Sequence, residues 1–405
     1  ALTTGSNNVA IGNNALSTED AHGRNVAVGH NALMTQDAGA DAYNIAMGYN
    51  SGKAVTTSIK NVIIGGLAGD ALTSGSKNTV VGYEALSTED TRGTSTAIGH
   101  RALRDQNAGS DPYNVAVGHD AGLLVSTGTD NVLIGAFTGD ALTTGAYNVA
   151  IGRSALSLED EHGYNVAVGA FALLNQNAGA NAHNVAVGYA AGTNVTTGTA
   201  NTIIGGNAGD ALTTGADNVV LGYNALSTED TGNRNTALGR GTLQNLNYDG
   251  NGYNTAVGYE AGNDVTTGVN NTLVGALAGD ALTTGSHNTA IGFQALSLED
   301  ANGFNVAIGK SALENLNAGA DAYNVAVGFG AGELMTTGVS NTFLGAQAGD
   351  AITTAGYSVA IGHLALTSED TAQYNTAIGY KALYTQNGGV ANTVIGLSLI
   401  HISEP

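Results

Sequence analysis

Paired carboxylates are the residues of this 405-residue chain whose type and spacing could do chemistry. Glu-Asp pairs recur every 70 residues, at Glu19-Asp20, Glu89-Asp90, Glu159-Asp160, Glu229-Asp230, Glu299-Asp300 and Glu369-Asp370. Two adjacent carboxylates can exchange protons as general acid and base, or they can bind calcium. A catalytic site is not usually copied six times along one chain, so we interpret these pairs as solvated, turn-favouring corners.

Glycine-flanked aspartates and scattered histidines are the other candidate metal ligands. Gly-Asp pairs recur at the same interval, at Gly69-Asp70, Gly139-Asp140, Gly209-Asp210, Gly279-Asp280 and Gly349-Asp350. A calcium-binding Gly-Gly-x-Gly-x-Asp roll repeats as a nonapeptide and needs Gly where Ala68 stands. His22 and His162 follow two of the Glu-Asp pairs, but the other copies have no His there. We therefore predict no metal, no cofactor and no catalytic residue, and we do not expect an enzyme.

The elements that must position these residues follow from one five-residue phrase, which is Asn, a β-branched residue, a small or apolar residue, an aliphatic residue and Gly. It occurs 23 times, from residues 8–12 to residues 392–396, at steps of 17 or 19 residues in blocks of 70. Gly fills the fifth place in every copy, and Asn fills the first except at Ser95 and Ser358. Such fixed-period self-similarity indicates a solenoid in which each copy is one coil.

The phrase predicts a strand, because its second and fourth places are β-branched or aliphatic in every copy and share one strand face. We expect an all-β fold, a parallel β-solenoid of about 23 coils over residues 1–396, with two or three short strands per coil. The predicted core rows are the fourth-place residues with the adjacent leucines, namely Ile11, Val28, Met47, Ile64, Val81, Leu16 and Leu33.

Two further rows of the phrase predict structural roles. Asn in register suggests an inward ladder of side-chain amides that bond along the solenoid, beginning with Asn8, Asn25, Asn44 and Asn61. The fifth-place residues can turn the chain at positive φ because they lack a Cβ atom, beginning with Gly12, Gly29, Gly48 and Gly65.

The third place predicts how the chain assembles. It is Ala in 15 copies and a larger apolar residue in the other eight, although a face that meets water should be polar there. Over a rod on the order of 110 Å long, this stripe exceeds what monomers usually expose. Two copies of the same stripe would cover it in a homotrimer. Alternatively, a coil of the chain itself folds over it.

Composition restricts the class of partner. The net charge of −21 argues against nucleic acid and against adsorption to anionic lipid, because both need Lys and Arg. No apolar stretch reaches about 18 residues, so we predict no membrane insertion. The chain begins within a block, which suggests a fragment, and residues 397–405 fit no coil. This tail is either a natural cap or, as residues 398–405 suggest, a translated sequencing adapter.

The phrase and its flanks resemble the head repeats of trimeric autotransporter adhesins and, more closely, the repeats of phage and bacterial tail-fibre proteins. Residues 3–16, 75–86 and 285–296 carry the resemblance, which extends over the chain to Gly396. It implies a trimeric parallel β-roll or β-helix that forms the shaft or head of an adhesive fibre. The expected location is extracellular, on a virion tail or a bacterial surface, with a host glycan or protein as receptor.

Two surface features offer binding functions. Aromatic residues that follow the turn Gly could stack on a sugar face, and the candidates are Tyr49, Tyr83, Tyr189, Tyr223 and Tyr259. Thr pairs such as Thr143-Thr144 suggest an ice-binding solenoid as the alternative. The row twelve places after the phrase Asn contains Thr56 and Thr73, but acidic residues interrupt it at Asp20, Asp37 and Asp90. We therefore favour the fibre.

Overall fold

The computed structural model describes residues 4–19, 21–368, 371–384 and 390–397. Within these residues the fold is all-β, with 23 parallel three-residue strands that form a β-solenoid of about 22 turns. The predicted fold class is therefore confirmed. Asp20, the pair Glu369-Asp370 and residues 398–405 of the tail lie outside the described residues. The chain contains two compact units, residues 1–201 and 202–405.

The first unit contains eleven of these strands, one at each copy of the phrase. They are β1 (Val9–Ile11), β2 (Val26–Val28), β3 (Ile45–Met47), β4 (Val62–Ile64), β5 (Thr79–Val81), β6 (Thr96–Ile98), β7 (Val115–Val117), β8 (Val132–Ile134), β9 (Val149–Ile151), β10 (Val166–Val168) and β11 (Val185–Val187). Within this unit, each strand from β1 to β10 pairs with the next in parallel and with equal places of the phrase opposite one another, as Val9 lies opposite Val26.

The second unit repeats this arrangement with twelve strands. They are β12 (Thr202–Ile204), β13 (Val219–Leu221), β14 (Thr236–Leu238), β15 (Thr255–Val257), β16 (Thr272–Val274), β17 (Thr289–Ile291), β18 (Val306–Ile308), β19 (Val325–Val327), β20 (Thr342–Leu344), β21 (Val359–Ile361), β22 (Thr376–Ile378) and β23 (Thr393–Ile395). The register is again in phase, with Thr202 opposite Val219.

Within the described residues each coil has one strand, so the prediction of two or three strands per coil is wrong. The rest of the coil consists of turns in which non-glycine residues take left-handed conformations, such as Asn14 at φ 54° and Leu16 at φ 51°. These turns still bond from coil to coil, because the Leu16 N–H donates to the Ala32 carbonyl at 3.0 Å. These turns occupy the residues that second and third strands of each coil would have required.

The core lies on the opposite face of the strand from the predicted one. Every third-place residue from Ala27 to Ala377 is fully buried, whereas the fourth-place Ile11 and Met47 are 60% and 46% exposed. The predicted fourth-place core rows, Ile11, Val28, Met47, Ile64 and Val81, are therefore wrong. Leu16 and Leu33 are buried as predicted. The third-place stripe is covered within the chain, which was the second of the two alternatives.

The buried third place takes side chains of different sizes, from Ala27 to Phe343. Where it is Ala27, the buried Leu33 lies in the same coil. Where it is Ile63, the facing residues are Gly52 and Gly69, and a Cβ atom added to them would lie 3.0 and 3.4 Å from that side chain. The coil interior is narrow and close-packed, so large and small residues must complement one another across it.

Candidate functional site

The most extended functional surface is the outer sheet face, which we define as the second- and fourth-place side chains of each phrase. The second place is Val, Ile or Thr in all 23 copies, and the fourth is Ile, Val, Leu or Met. These side chains are half-buried or exposed, as the pair Ile45 and Met47 illustrates. With strands ~4.8 Å apart and rows ~6.6 Å apart, each strand contributes on the order of 60 Å² to this face.

The phrase asparagines fix the start of each strand. The backbone N–H of Asn25 donates to the Asn8 side-chain oxygen at 2.9 Å, and that of Asn44 donates to the Asn25 side-chain oxygen at 3.0 Å. The backbone N–H of Asn61 likewise donates to the Asn44 side-chain oxygen at 2.9 Å. The Asn44 amide nitrogen in turn donates to the Ser58 carbonyl at 2.7 Å. Each Asn side chain thus accepts a hydrogen bond from the backbone at the start of the next strand. The row is therefore held by side chain-to-backbone bonds and not by stacked side-chain amides alone.

The fifth-place glycines end each strand where no other residue fits. Gly12, Gly29, Gly48 and Gly65 have φ between 131° and 139°. A Cβ atom on Gly29 would lie 2.3 Å from the Gly48 carbonyl oxygen, and one on Gly48 would lie 2.5 Å from that of Gly65. The absence of a side chain therefore allows successive coils to approach backbone to backbone.

The first aromatic row, which we define as the residues that follow the turn Gly, flanks the outer sheet face on one side. The five tyrosines predicted to contact glycans lie in it, and they are 45% to 61% exposed. Tyr49 stacks on His30 with ring centroids 5.4 Å apart, and Tyr83 stacks on His100 at 5.7 Å. In the coil between those of Tyr49 and Tyr83, this place of the row is Gly66. Gly66 has no side chain to cover the ring faces of the two tyrosines that point toward it.

The second aromatic row, which we define as the residues just before the phrase Asn, flanks the other side and was missed in the sequence analysis. Tyr164 lies between Tyr147 and His183, with ring centroids 5.1 Å away in each case. Arg24 lies over the Tyr43 ring at 5.3 Å. The sequence could have predicted this row from the alternation of side chains along a strand. The residue before the phrase Asn is two places before the second place, so it lies on the same side as the second and fourth places.

The glutamates of the Glu-Asp pairs are buried, so their interpretation as solvated corners is wrong. Every described one, namely Glu19, Glu89, Glu159, Glu229 and Glu299, has no exposed surface. Glu229 accepts the Gly232 N–H at 2.7 Å and the Tyr248 N–H at 3.1 Å. Tyr248 belongs to the 19-residue coil that follows. The Glu229 carboxylate thus accepts one N–H group of its own turn and one from the longer coil, which needs an acceptor. Burial raises the pKa of Glu159, Glu229 and Glu299.

The aspartates of the Gly-Asp pairs are half-buried. Burial raises the pKa of the whole set, which comprises Asp70, Asp140, Asp210, Asp280 and Asp350. The pKa of Asp280 reaches about 6, and the charges of Asp264 and Glu260 add to the effect of burial. These carboxyl groups lie four coils apart, so they do not form a continuous row of cation ligands.

Comparison with known proteins found no matching family model and no matching curated protein. Within the described part of the chain, no helix has the length and hydrophobicity needed to cross a lipid bilayer. Neither unit contains a pocket among its described residues.

Proposed function

We propose that this chain is a structural shaft or head segment of an extracellular adhesive fibre, on a phage tail or a bacterial surface, and that it acts as a homotrimer. The observation that carries the proposal is the outer sheet face, which is aliphatic or β-branched in every coil. A β-solenoid is a fold typical of structural proteins, and the repeats resemble those of fibre proteins. A non-catalytic role follows from the same reasoning.

The size of the outer sheet face supports self-association. The eleven strands of the first unit expose on the order of 700 Å² of it, which is above the ~300–600 Å² of the largest patch on a typical monomer. Specific interfaces bury roughly 800 Å² per partner. In the second unit the fourth place is aliphatic throughout, whereas eight of the twelve second places are Thr. A second and a third copy of this chain are the occupants that supply a surface of matching period and chemistry.

Sedimentation of the purified chain tests the trimer. We expect the wild-type chain to be a trimer at micromolar concentration. We expect the double variant Ile45→Lys, Met47→Lys to be a folded monomer, because burying two lysine charges in the interface would cost more free energy than the contact between chains provides. Leu158 is exposed at a corner away from the outer sheet face, so Leu158→Lys is the matched control and should remain trimeric. A monodisperse wild-type monomer, folded by circular dichroism, would overturn the proposal.

We further propose that the first aromatic row contacts host glycans. Gly66 and Gly206 leave one ring face of Tyr83 and of Tyr223 without a side chain from the neighbouring coil, and sugars stack on such faces. Binding to an array of surface glycans should weaken in Tyr83→Ala, Tyr223→Ala. Tyr113 belongs to the second aromatic row, so Tyr113→Ala is the control. Equal loss in both variants would exclude a specific role for the first row.

Ice binding is the second candidate function. Thr occupies 10 of 23 second places on a regular, exposed sheet, which favours it. The predicted corner Thr row is used differently, because the Thr56 hydroxyl donates to the Thr73 carbonyl at 3.1 Å and the Thr73 hydroxyl to the Asp90 carbonyl at 2.9 Å. Measurable thermal hysteresis of the purified chain would favour ice binding over the fibre.

A further inference from the structure

One group of side chains in the first unit has the composition of a metal site. His100 and His119 follow the turn Gly in successive coils, and their rings stack with centroids 4.9 Å apart and planes 8° apart. The Nδ1 atom of His100 lies 3.6 Å from Asp120 Oδ1, and that of His119 lies 3.3 Å from Asp120 Oδ2. The Asp120 side chain is 5% exposed, whereas the two imidazoles are 42% and 50% exposed.

The coil fold does not require these residues. At the places equivalent to His100, the other blocks of 70 have His30, Ala170, Arg240, Lys310 and Tyr380. At the places equivalent to His119 they have Tyr49, Tyr189, Tyr259 and Phe329, and at those equivalent to Asp120 they have Asn50, Ala190, Glu260 and Gly330. The three potential ligands coincide in a single block. Packing of the solenoid therefore does not explain the combination.

We propose that His100, His119 and Asp120 bind one divalent transition-metal cation of the Zn²⁺ class. Two imidazoles and one carboxylate are a ligand set that Zn²⁺ takes in proteins, with a water in the fourth position. Bonds of ~2.0–2.1 Å in a tetrahedron put the ligand atoms about 3.4 Å apart. The two Nδ1–carboxylate distances are close to that value, although they run to different oxygens of Asp120, and one ligand atom from each of the three residues lies within 4.8 Å of the others. Metal binding requires the stacked, exposed imidazoles to rotate so that both Nδ1 lone pairs point at the same ion.

The Asp120 carboxylate is held in position by Arg101 before metal arrives. Arg101 Nε donates to Oδ1 at 2.8 Å, and Nη2 donates to Oδ2 at 2.6 Å. Arg101 is 31% exposed. It therefore competes with the cation for the carboxylate, so its removal should tighten binding.

Two other groups of acidic residues and histidine are weaker candidates. They comprise Glu19, His22 and Asp37, and Glu159, Asp160 and His162. Glu19 accepts the His22 N–H at 3.1 Å, and Glu159 accepts the His162 N–H at 3.1 Å. These buried carboxylates already hold the backbone turn, and a metal would have to break that bond. The Asp120 carboxylate is held by the Arg101 side chain and accepts no such backbone N–H bond among those described.

Calorimetric titration of the full chain with zinc chloride, after treatment with chelator, tests the proposal. We expect one Zn²⁺ per chain at about pH 7.5, with the metal removed again by excess chelator. Co²⁺ in place of Zn²⁺ should give the visible absorption of a tetrahedral site with nitrogen ligands. This spectrum reports the ligands independently of affinity.

Variants that copy the chain's own equivalent residues keep the fold intact. His119→Tyr and Asp120→Asn should each weaken binding by more than about tenfold, since loss of an outer-shell partner alone has an effect of that order. Arg101→Asn, which copies Asn31, should tighten it. His30→Ala, at the place equivalent to His100, should leave it unchanged. No saturable binding, undiminished binding in His119→Tyr or Asp120→Asn, or equal loss in His30→Ala would overturn the site.

Discussion

At the scale of single residues, the carboxylates of this chain differ in how their burial is compensated. Glu229 is fully buried but accepts backbone N–H groups, including that of Gly232. Asp280 is half-buried, and its Oδ1 atom has no hydrogen-bond partner. Burial therefore raises the pKa of Asp280 to about 6, with a further contribution from Asp264. The ionised form of such a group opposes folding at neutral pH.

Asp280→Asn should raise the free energy of unfolding at about pH 7 by on the order of 1 kcal/mol. The carboxyl group's pKa is raised on folding, so its stabilising contribution is complete below its unfolded pKa of 3.8 and is lost as the pH rises through about 6. The gain over wild type should therefore shrink on acidification, as thermal melts at several pH values would reveal. Asp130→Asn removes an exposed charge and is the control. Equal shifts in both variants would contradict the role of burial.

Adjacent glycines provide a second test at this scale. Gly65 has φ 137°, and a Cβ atom added to it would lie 2.2 Å from the Gly82 carbonyl oxygen. Added to Gly66, a Cβ atom would meet only the Tyr83 ring, at 3.5 Å. We expect Gly65→Ala to lower the melting temperature strongly, since φ strain alone costs about 1–3 kcal/mol. Gly66→Ala should have little effect, and a comparable loss in both would refute the backbone contact.

At the scale of the element, the strand is a three-residue unit whose two faces are both apolar. Its third-place side chain packs inside the coil, and its second- and fourth-place side chains form the outer sheet face. The Asn before it bonds to the next coil, and the Gly after it permits close approach of the backbones. The strand is short because left-handed turns begin immediately after that Gly.

Neighbouring residues of β4 test this register. Ile63 is fully buried against Gly52 and Gly69, whereas Ile64 lies half-buried on the outer sheet face. Ile63→Ala should lower the free energy of unfolding by about 2–5 kcal/mol because the facing glycines cannot fill the cavity. Ile64→Ala should lower the free energy of unfolding of the monomer by about 1 kcal/mol or less. Both substitutions are made in the Ile45→Lys, Met47→Lys variant, which is expected to be monomeric. Denaturant titration measures both, and the reverse order would restore the fourth-place core.

At the scale of the whole molecule, a chain with net charge −21 nevertheless exposes a row of aliphatic fourth-place side chains in both of its units. Only 11% of its residues are charged, against about 25% in an ordinary globular protein. Backbone bonds between coils hold each unit together, and the outer sheet face takes no part in that packing. Self-association through this face is therefore separable from the folding of the coil.

That separation predicts a concentration-dependent melting temperature. An assembly that unfolds to single chains gains stability with protein concentration by mass action. We expect the melting temperature of the wild-type chain to rise across a hundredfold range, about 0.5 to 50 μM, whereas that of Ile45→Lys, Met47→Lys stays constant. Leu158→Lys should follow the wild type. A wild-type melting temperature that does not depend on concentration would contradict the trimer.

The sequence by itself determined the coil count, the strand positions, the parallel register and the rows of Asn and Gly, because a fixed period aligns every coil with the next. It also determined that alternate side chains of the strand face opposite ways. Only the tertiary structure decided which way is inward, since Ala27 and Val28 are both apolar and period two does not distinguish them. The turns of the coil close over the third-place side whichever side chain stands there, from Ala27 to Phe343. The burial of Glu229 also depends on a neighbouring coil, because the longer coil beside it presents an N–H group that needs an acceptor.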